Sequence, residues 1–267
     1  MILITGSSGQ LASQIARQAG EAGLDLRTAS RAPDADRQMD FDHPETLDFS
    51  GVDTLFLTSA GYAEDDVVMR RHGAVVEAAR AQGVGHVIYS SLHASGAHLG
   101  FALAHRWTER ALQASGMKWT ILRNGLYAEL VGALVAPRGG KITTPFGNGG
   151  ISAVARNDLA AAAVSVLKAP DAHVGRSYEL AGTAAISAAE IAGTLGVPYV
   201  PNTFEAEREL LGQMPLLPFQ APMLMSIASA ATAGYLAVEN TDLVELVAEP
   251  QDALTIASAV AQAMAQP

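Results

Sequence analysis

Short apolar runs alternate with longer stretches of helical periodicity through the first half of the chain. Ile2–Thr5 is an apolar run closed by Gly6, and a helix-like stretch follows over Gln10–Glu21. Leu24–Ala29 reads as a second strand, Met39–Phe41 as a short third and Val52–Thr58 as a fourth. A helix over Asp65–Gln82, strands at His86–Tyr89 and Trp119–Leu122, and a helix over Leu99–Ser115 between them continue the alternation. Gly23, Gly83 and Gly116 each stand just past a helical stretch, where glycine suits the left-handed cap position. Such alternation predicts βαβ units, a doubly wound parallel sheet with right-handed crossovers, and ligands bound at the carboxyl ends of the strands.

The second half is less regular. Gly139, Gly140, Gly147, Gly149 and Gly150 mark a loop-rich passage, followed by a helix over Asn157–Lys168 and a strand at Ser177–Leu180. Residues from Ser187 to Tyr235 read as helical pieces divided by proline, and Asp252–Met264 as a terminal helix. The expected organisation is a nucleotide-binding domain of residues 1–124, 151–183 and 236–267, with a small, mostly helical cap of residues 125–150 and 184–235. Leu210 to Val238 carries no charge, yet Pro215, Pro218 and Pro222 interrupt it. The proline-free remainder is shorter than the roughly 20 residues a spanning helix needs. A buried helix beside an apolar pocket is the expectation there. Met214, Met223, Met225 and Phe219 belong to that stretch as core packing or as a flexible pocket lining.

Composition narrows the functional classes. Of 267 residues 49% are hydrophobic and 16% charged, so a sizeable core is available. A net charge of -10 with scattered basic residues argues against a nucleic-acid groove. The absence of cysteine excludes disulfides, thiolate catalysis and cysteine-ligated metal, and suits a cytosolic protein. The opening MILITG lacks the basic and long apolar regions of a secretory signal.

Chemistry concentrates at the first strand-to-helix junction, Thr5-Gly6-Ser7-Ser8-Gly9-Gln10-Leu11-Ala12. A pyrophosphate needs backbone N–H groups aimed at it, no Cβ in the way and the positive end of a helix. Gly6 permits the tight turn, Gly9 a close backbone approach, and the small Ala12 close helix–strand packing. The alternative is an ordinary strand-to-helix turn; its place at the start of a βαβ series favours a dinucleotide. At the end of the second strand no carboxylate appears before Asp34, whereas Arg31 stands where a 2′-phosphate would be held, with Ser30 beside it. The expected cofactor is therefore NADPH and the fold of Rossmann type, unless Arg31 is merely an exposed loop residue.

The TGxxGxxA turn, Arg31 and Asp40-Phe41-Asp42 resemble atypical short-chain dehydrogenase/reductase proteins. The segments Ser91-Leu92-His93-Ala94, Leu122-Arg123-Asn124-Gly125-Leu126-Tyr127 and Ala155-Arg156-Asn157-Asp158 are similar to the NmrA-like branch, particularly its type 2 quinone oxidoreductases and triphenylmethane dye reductases. The resemblance runs from Met1 to about Leu180. It implies that Gly6, Ser7, Ser8, Gly9, Gln10 and Leu11 hold the pyrophosphate and Arg31 the 2′-phosphate. It places Phe41 beside the adenine, and Thr58, Ser59 and Ala60 along the ribose and diphosphate. Ser91 and Leu92 would approach the nicotinamide, and Asn124, Gly125, Leu126 and Tyr127 would border nicotinamide and substrate. One departure is the short Arg31–Asp40 segment, which leaves little room for a helix after the second strand.

The other departure concerns the proton donor. Ordinary members of the superfamily carry Tyr-x-x-x-Lys after the fifth strand, the lysine lowering the tyrosine pKa for proton exchange. The equivalent register here reads Phe101-Ala102-Leu103-Ala104-His105. Phenylalanine gives no proton, so carbonyl–alcohol chemistry is disfavoured. A quinone or cationic dye accepts hydride without a protein acid, and alignment of acceptor and nicotinamide then carries the catalysis. His105 and Tyr127 are the catalytic candidates, His105 for the nicotinamide ribose or a substrate oxygen and Tyr127 for an aromatic acceptor. Their alternatives are a structural histidine and a half-buried core tyrosine.

His93 and His98 lack a third ligand at metal spacing, so no metal is expected. Ser90 and Ser91 lack a nucleophile-elbow turn, and Asp65, Asp66, Arg70 and Arg71 read as a solvated helix face. The sequence thus predicts a cytosolic NADPH-dependent reductase, monomer or homodimer, acting on a small quinone-like or aromatic acceptor, without nucleic acid or membrane. Two other readings stand: an NADP(H)-binding redox-sensing regulator acting through a protein partner, and a biosynthetic reductase or isomerase.

Overall fold

A computed structural model describes residues 1–60 and 63–265. The first half forms β1 (Ile2–Thr5), α1 (Gln10–Glu21), β2 (Leu26–Ser30), β3 (Arg37–Gln38), β4 (Thr54–Thr58), α2 (Asp65–Ala81), β5 (His86–Leu92), α3 (Ala102–Ala114) and β6 (Lys118–Asn124). Then come α4 (Ala128–Leu134), β7 (Gly150–Ile151), α5 (Arg156–Lys168), β8 (Ser177–Leu180) and β9 (Ile186–Ser187). Helices α6 (Ala188–Leu195), α7 (Phe204–Gly212), α8 (Gln220–Thr232), α9 (Leu243–Leu246) and α10 (Ala253–Ala263) close the chain. Two compact units result: residues 1–92, 103–124 and 156–179, and residues 93–102, 125–155 and 180 onward.

In the first unit the strands form one sheet in the order β3-β2-β1-β4-β5-β6-β8. Pairing is parallel from β3 through β6. β1 lies between β2 and β4, so the strand order reverses there and a crevice opens beyond the carboxyl ends of these strands. Helices cover both faces, which is why β4 and β5 are apolar on successive residues rather than alternating. On one face Leu3, Leu55, Leu57 and Tyr89 pack with Val75, Ala79 and Leu112. α1 packs against α5, with Gln18 Nε2 donating to the Asn157 side chain at 2.9 Å.

Several boundaries differ from the sequence expectation, most by one to three residues. β5 and β6 run on to Leu92 and Asn124, through Ser90, Ser91 and Arg123, because these polar side chains find buried partners described below. The short third strand is Arg37–Gln38 rather than Met39–Phe41; Arg37 suits an edge because its guanidinium donates to the Asp48 and Ser50 carbonyls at 2.7 Å each. Between β2 and β3 the chain makes turns and no helix, as the short segment led us to expect.

The second unit contains a β7–β9 antiparallel pair and packs α10 against α4 and α6. The α4–α10 contact is close: a Cβ on Gly132 would stand 2.3 Å from the Ala257 carbonyl oxygen. The sequence places residues 236–267 with the nucleotide-binding domain, whereas here residues 236–265 cluster with the second unit through this packing. α4, unanticipated, is a seven-residue helix too short to show a period. The uncharged stretch contributes α8, of 13 residues, burying Ile227, Ala228, Ala230 and Ala231. Among the described residues no helix is long and apolar enough to cross a membrane.

Candidate dinucleotide site

Past β1 the chain must reverse sharply to enter α1. Gly6 does so with φ +69°, a region L side chains avoid, and a Cβ there would press on the Thr58 side chain at 3.3 Å. The Gly9 amide closes the turn by donating to the Gly6 carbonyl at 2.8 Å. Among the described residues, the first backbone amide of α1 to find a partner is that of Ser13, on Gly9 O at 3.0 Å. The amides of Gln10, Leu11 and Ala12 therefore point out of the helix N-terminus, the geometry an anion needs.

A cleft of about 300 Å³ opens in front of this turn, within the range of small-ligand pockets. Its lining includes Gly6, Ser8, Gly9, Arg31, Phe41, Thr58, Ser59 and Ala60, all expected from the sequence, together with Ala29, Ser30, Met39, Asp40, Asp42 and Arg71. Thr58 Oγ1 is buried and makes no hydrogen bond among the described residues, so a ligand hydroxyl or phosphate oxygen fits there. Within the lining, Arg31 is exposed and has no ion-pair partner among the described residues. Arg71 is already matched: its Nε and Nη2 grip Asp42 at 2.9 and 2.5 Å, and this fork holds the Asp42 carboxyl below the usual range. The solvated-face reading of the α2 charges holds for Asp66 and Arg70, which are exposed, and is corrected for Asp65 and Arg71. Arg71 reaches across to Asp42 as a pocket wall, and Asp65 has its pKa raised by burial.

The other expected residues are not part of this lining. Ser7 gives both its amide (3.2 Å) and its hydroxyl (3.3 Å) to the Ala29 carbonyl, tying the turn to β2 instead of facing the cleft. The side chain of Gln10 is exposed and that of Leu11 is core, so only their amides face the turn's open end. At the carboxyl ends of β5 and β6, Ser91 pairs in register with Arg123 and Leu92 with Asn124, and Ser91, Leu92 and Asn124 are all buried. Gly125, Leu126 and Tyr127 belong to the second unit. There the Gly125 amide donates to Leu180 O at 2.7 Å, and half-buried Tyr127 bridges to Val154 at the start of α4.

Several residues that the sequence analysis did not single out carry the polar architecture of the first unit. Glu109, almost fully buried, accepts the Ser91 hydroxyl at 2.6 Å and a two-pronged grip from Arg123 at 2.9 and 2.7 Å, while Arg123 also reaches Glu179 at 2.7 Å. Tyr89, wholly buried on β5, meets His105 Nδ1 at 2.9 Å. Burial lowers the His105 pKa to about 4 against the opposing pull of Glu109, so the ring is neutral near pH 7. His72 from α2 is also fully buried, its Nε2 2.9 Å from the Ala60 amide. A polar residue spaced among apolar ones signals such roles weakly, because its partner is many residues distant.

A parallel sheet with a glycine turn and open helix amides at its switch point defines a dinucleotide-binding Rossmann protein. Over residues 6–170 the chain matches the family described as NAD(P)H-binding, and it belongs to that family, in its NmrA-like branch. Quinone oxidoreductase 2 of Escherichia coli (strain K12) is 34% identical over 212 residues, 73% of this chain and 73% of its own. An NAD(P)H azoreductase of Xenophilus azovorans is 28% identical over 260 residues, 89% of each chain. The solved structure of the Escherichia coli NADPH-dependent quinone oxidoreductase complexed with NADPH superposes with a TM-score of 0.87 at 29% identity, covering 97% of this chain and 99% of that one.

Proposed function

We propose that the protein is an NADPH-dependent reductase that delivers hydride to a small, flat, conjugated acceptor, a quinone or an azo compound. The cleft at the glycine turn, lined by an Arg31 without a counter-ion among the described residues, is the observation that carries this reading. The relatives named as a quinone oxidoreductase and an azoreductase support the acceptor class.

When bound, the nicotinamide supplies a hydride. The chain's own residues bind and orient. The α1 amides and Gly9 receive the pyrophosphate, Arg31 the 2′-phosphate, Phe41 the adenine, and Thr58 Oγ1 a diphosphate or ribose oxygen. Phe101 stands where a proton-donating tyrosine would be, so the reduced acceptor takes its proton from water. His105, neutral and with Nδ1 engaged by Tyr89, is assigned to hold the nicotinamide ribose or an acceptor oxygen, and Tyr127 to stack on the acceptor. A cytosolic setting fits a chain without cysteine.

The test is NADPH oxidation by the purified protein across a panel of benzoquinones, naphthoquinones and azo dyes. Turnover with at least one class is expected. NADPH binding without turnover on any of them would move the assignment to a redox-sensing regulator.

A further inference from the structure

Resting on the dinucleotide reading of the cleft, we propose that His72 is a positioning residue for that site. It fixes the wall of the cleft formed by Thr58, Ser59 and Ala60 by accepting the Ala60 amide proton.

Beyond the end of a strand the ladder no longer consumes backbone donors, and the wall residues lie where β4 stops. Three successive amides there are instead captured by side chains from three different elements. The Thr58 amide donates to Thr5 Oγ1 at 3.1 Å, the Ser59 amide to Ser90 Oγ at 3.1 Å and the Ala60 amide to His72 Nε2 at 2.9 Å. Thr5 and Ser90 sit on β1 and β5, neighbours of β4 in the sheet, so the ladder already places them. His72 comes from α2 and reaches the wall from outside the sheet.

The bonding of His72 fixes its tautomer. A backbone amide can only donate, so Nε2 is the acceptor and the ring proton sits on Nδ1. Nδ1 lies 2.8 Å from Thr108 Oγ1, whose own proton goes to the Ala104 carbonyl at 2.8 Å. Thr108 therefore receives the His72 proton, and the bonds run unbroken from Ala60 to α3. The ring also stands edge-on to Tyr89, centroids 5.7 Å apart at 77°. Burial lowers its pKa to about 3, so it stays neutral and remains an acceptor. A wall fixed before the ligand arrives spares the ordering cost of binding.

The experiment compares wild type, His72→Leu and His72→Gln by two measurements. Hydrogen exchange at the Ala60 amide, without ligand, is expected to be at least about tenfold faster in His72→Leu, because an apolar side chain takes no hydrogen bond. In His72→Gln, whose carbonyl can accept that proton, it is expected to stay near wild type. NADPH titration is expected to show Kd raised about tenfold by His72→Leu and restored to within about threefold by His72→Gln, with kcat at saturating NADPH within about twofold throughout. Unchanged Ala60 exchange or unchanged Kd in His72→Leu, or equal losses in both variants, would overturn the proposal. Should His72→Leu not fold, Thr108→Val, which removes the acceptor for Nδ1–H, must speed Ala60 exchange and weaken NADPH about threefold, and no change in either would also overturn it. If wild type ignored NADPH, the dinucleotide reading would fall, while the exchange comparison would still decide the hydrogen bond.

Discussion

Arg31 and Arg71 both line the cleft, but they are not equivalent cations. The charge of Arg71 is spent on Asp42, with Arg70 a further 3.5 Å contact on the same carboxylate, whereas Arg31 has no ion-pair partner among the described residues. Arg31→Ala is therefore expected to weaken NADPH by about 1.5–3 kcal/mol, the worth of a charge-assisted hydrogen bond, and NADH hardly at all. Parallel titrations with the two nucleotides check this, and equal losses would retire the 2′-phosphate assignment. The buried histidines carry a different expectation. His72 and His105 have native pKa values of about 3 and about 4 against 6.5 for the free side chain. As pH falls from about 6.5 toward 4, the unfolded chain binds protons that the native protein refuses, so stability falls with pH in that window and is flat above it. The loss is on the order of 2 kcal/mol per histidine by pH 4.5. A melting temperature that stays constant between pH 7 and 4.5 would contradict this burial, and His105→Gln should remove part of the slope.

Among the elements, the α4–α10 crossing leaves no room for a side chain at Gly132. Gly132→Ala is expected to cost about 1–3 kcal/mol, since the new methyl would meet the Ala257 carbonyl. Gly193, within α6, meets nothing within 4 Å. Gly193→Ala is expected to stabilise by about 0.5–1 kcal/mol through helix propensity. Chemical denaturation of both variants measures the opposite signs, and a neutral Gly132→Ala would mean the helices can separate without cost. Element identity was readable wherever an apolar pattern persisted, as in α1, predicted at Gln10–Glu21 and found there. The carboxyl ends of β5 and β6 were not, because Ser91 and Arg123 look like loop residues until Glu109 from α3 is seen beside them. Short α4 and α9 were missed for want of a full period.

For the whole molecule, family membership makes nicotinamide nucleotides the ligands that bind the native state alone. NADPH at about a hundred times its Kd should stabilise the fold by about 2.7 kcal/mol. Gly9→Trp, with a bulky side chain where an added Cβ would already stand 3.1 Å from Gly6 O, should abolish that gain. A thermal shift with and without NADPH reads both, and an unshifted wild type would remove the cofactor from the account.

The glycine turn, Arg31, Phe41 and the end of the fourth strand could be placed in the cleft without coordinates. A strand, a turn and a helix N-terminus are local, and local geometry follows from neighbouring residues. Ser7 shows the limit even there: its position in the motif pointed to phosphate, but its amide and hydroxyl are taken by β2. Which charges are neutralised, which histidine is buried and which amide it receives depended on the tertiary structure alone. Asp42 and Arg71 are 29 residues apart, Tyr89 and His105 16, and Ala60 and His72 meet only because α2 folds back along β4. Periodicity reports which side of an element is apolar; it does not report which polar group from another element will be waiting opposite.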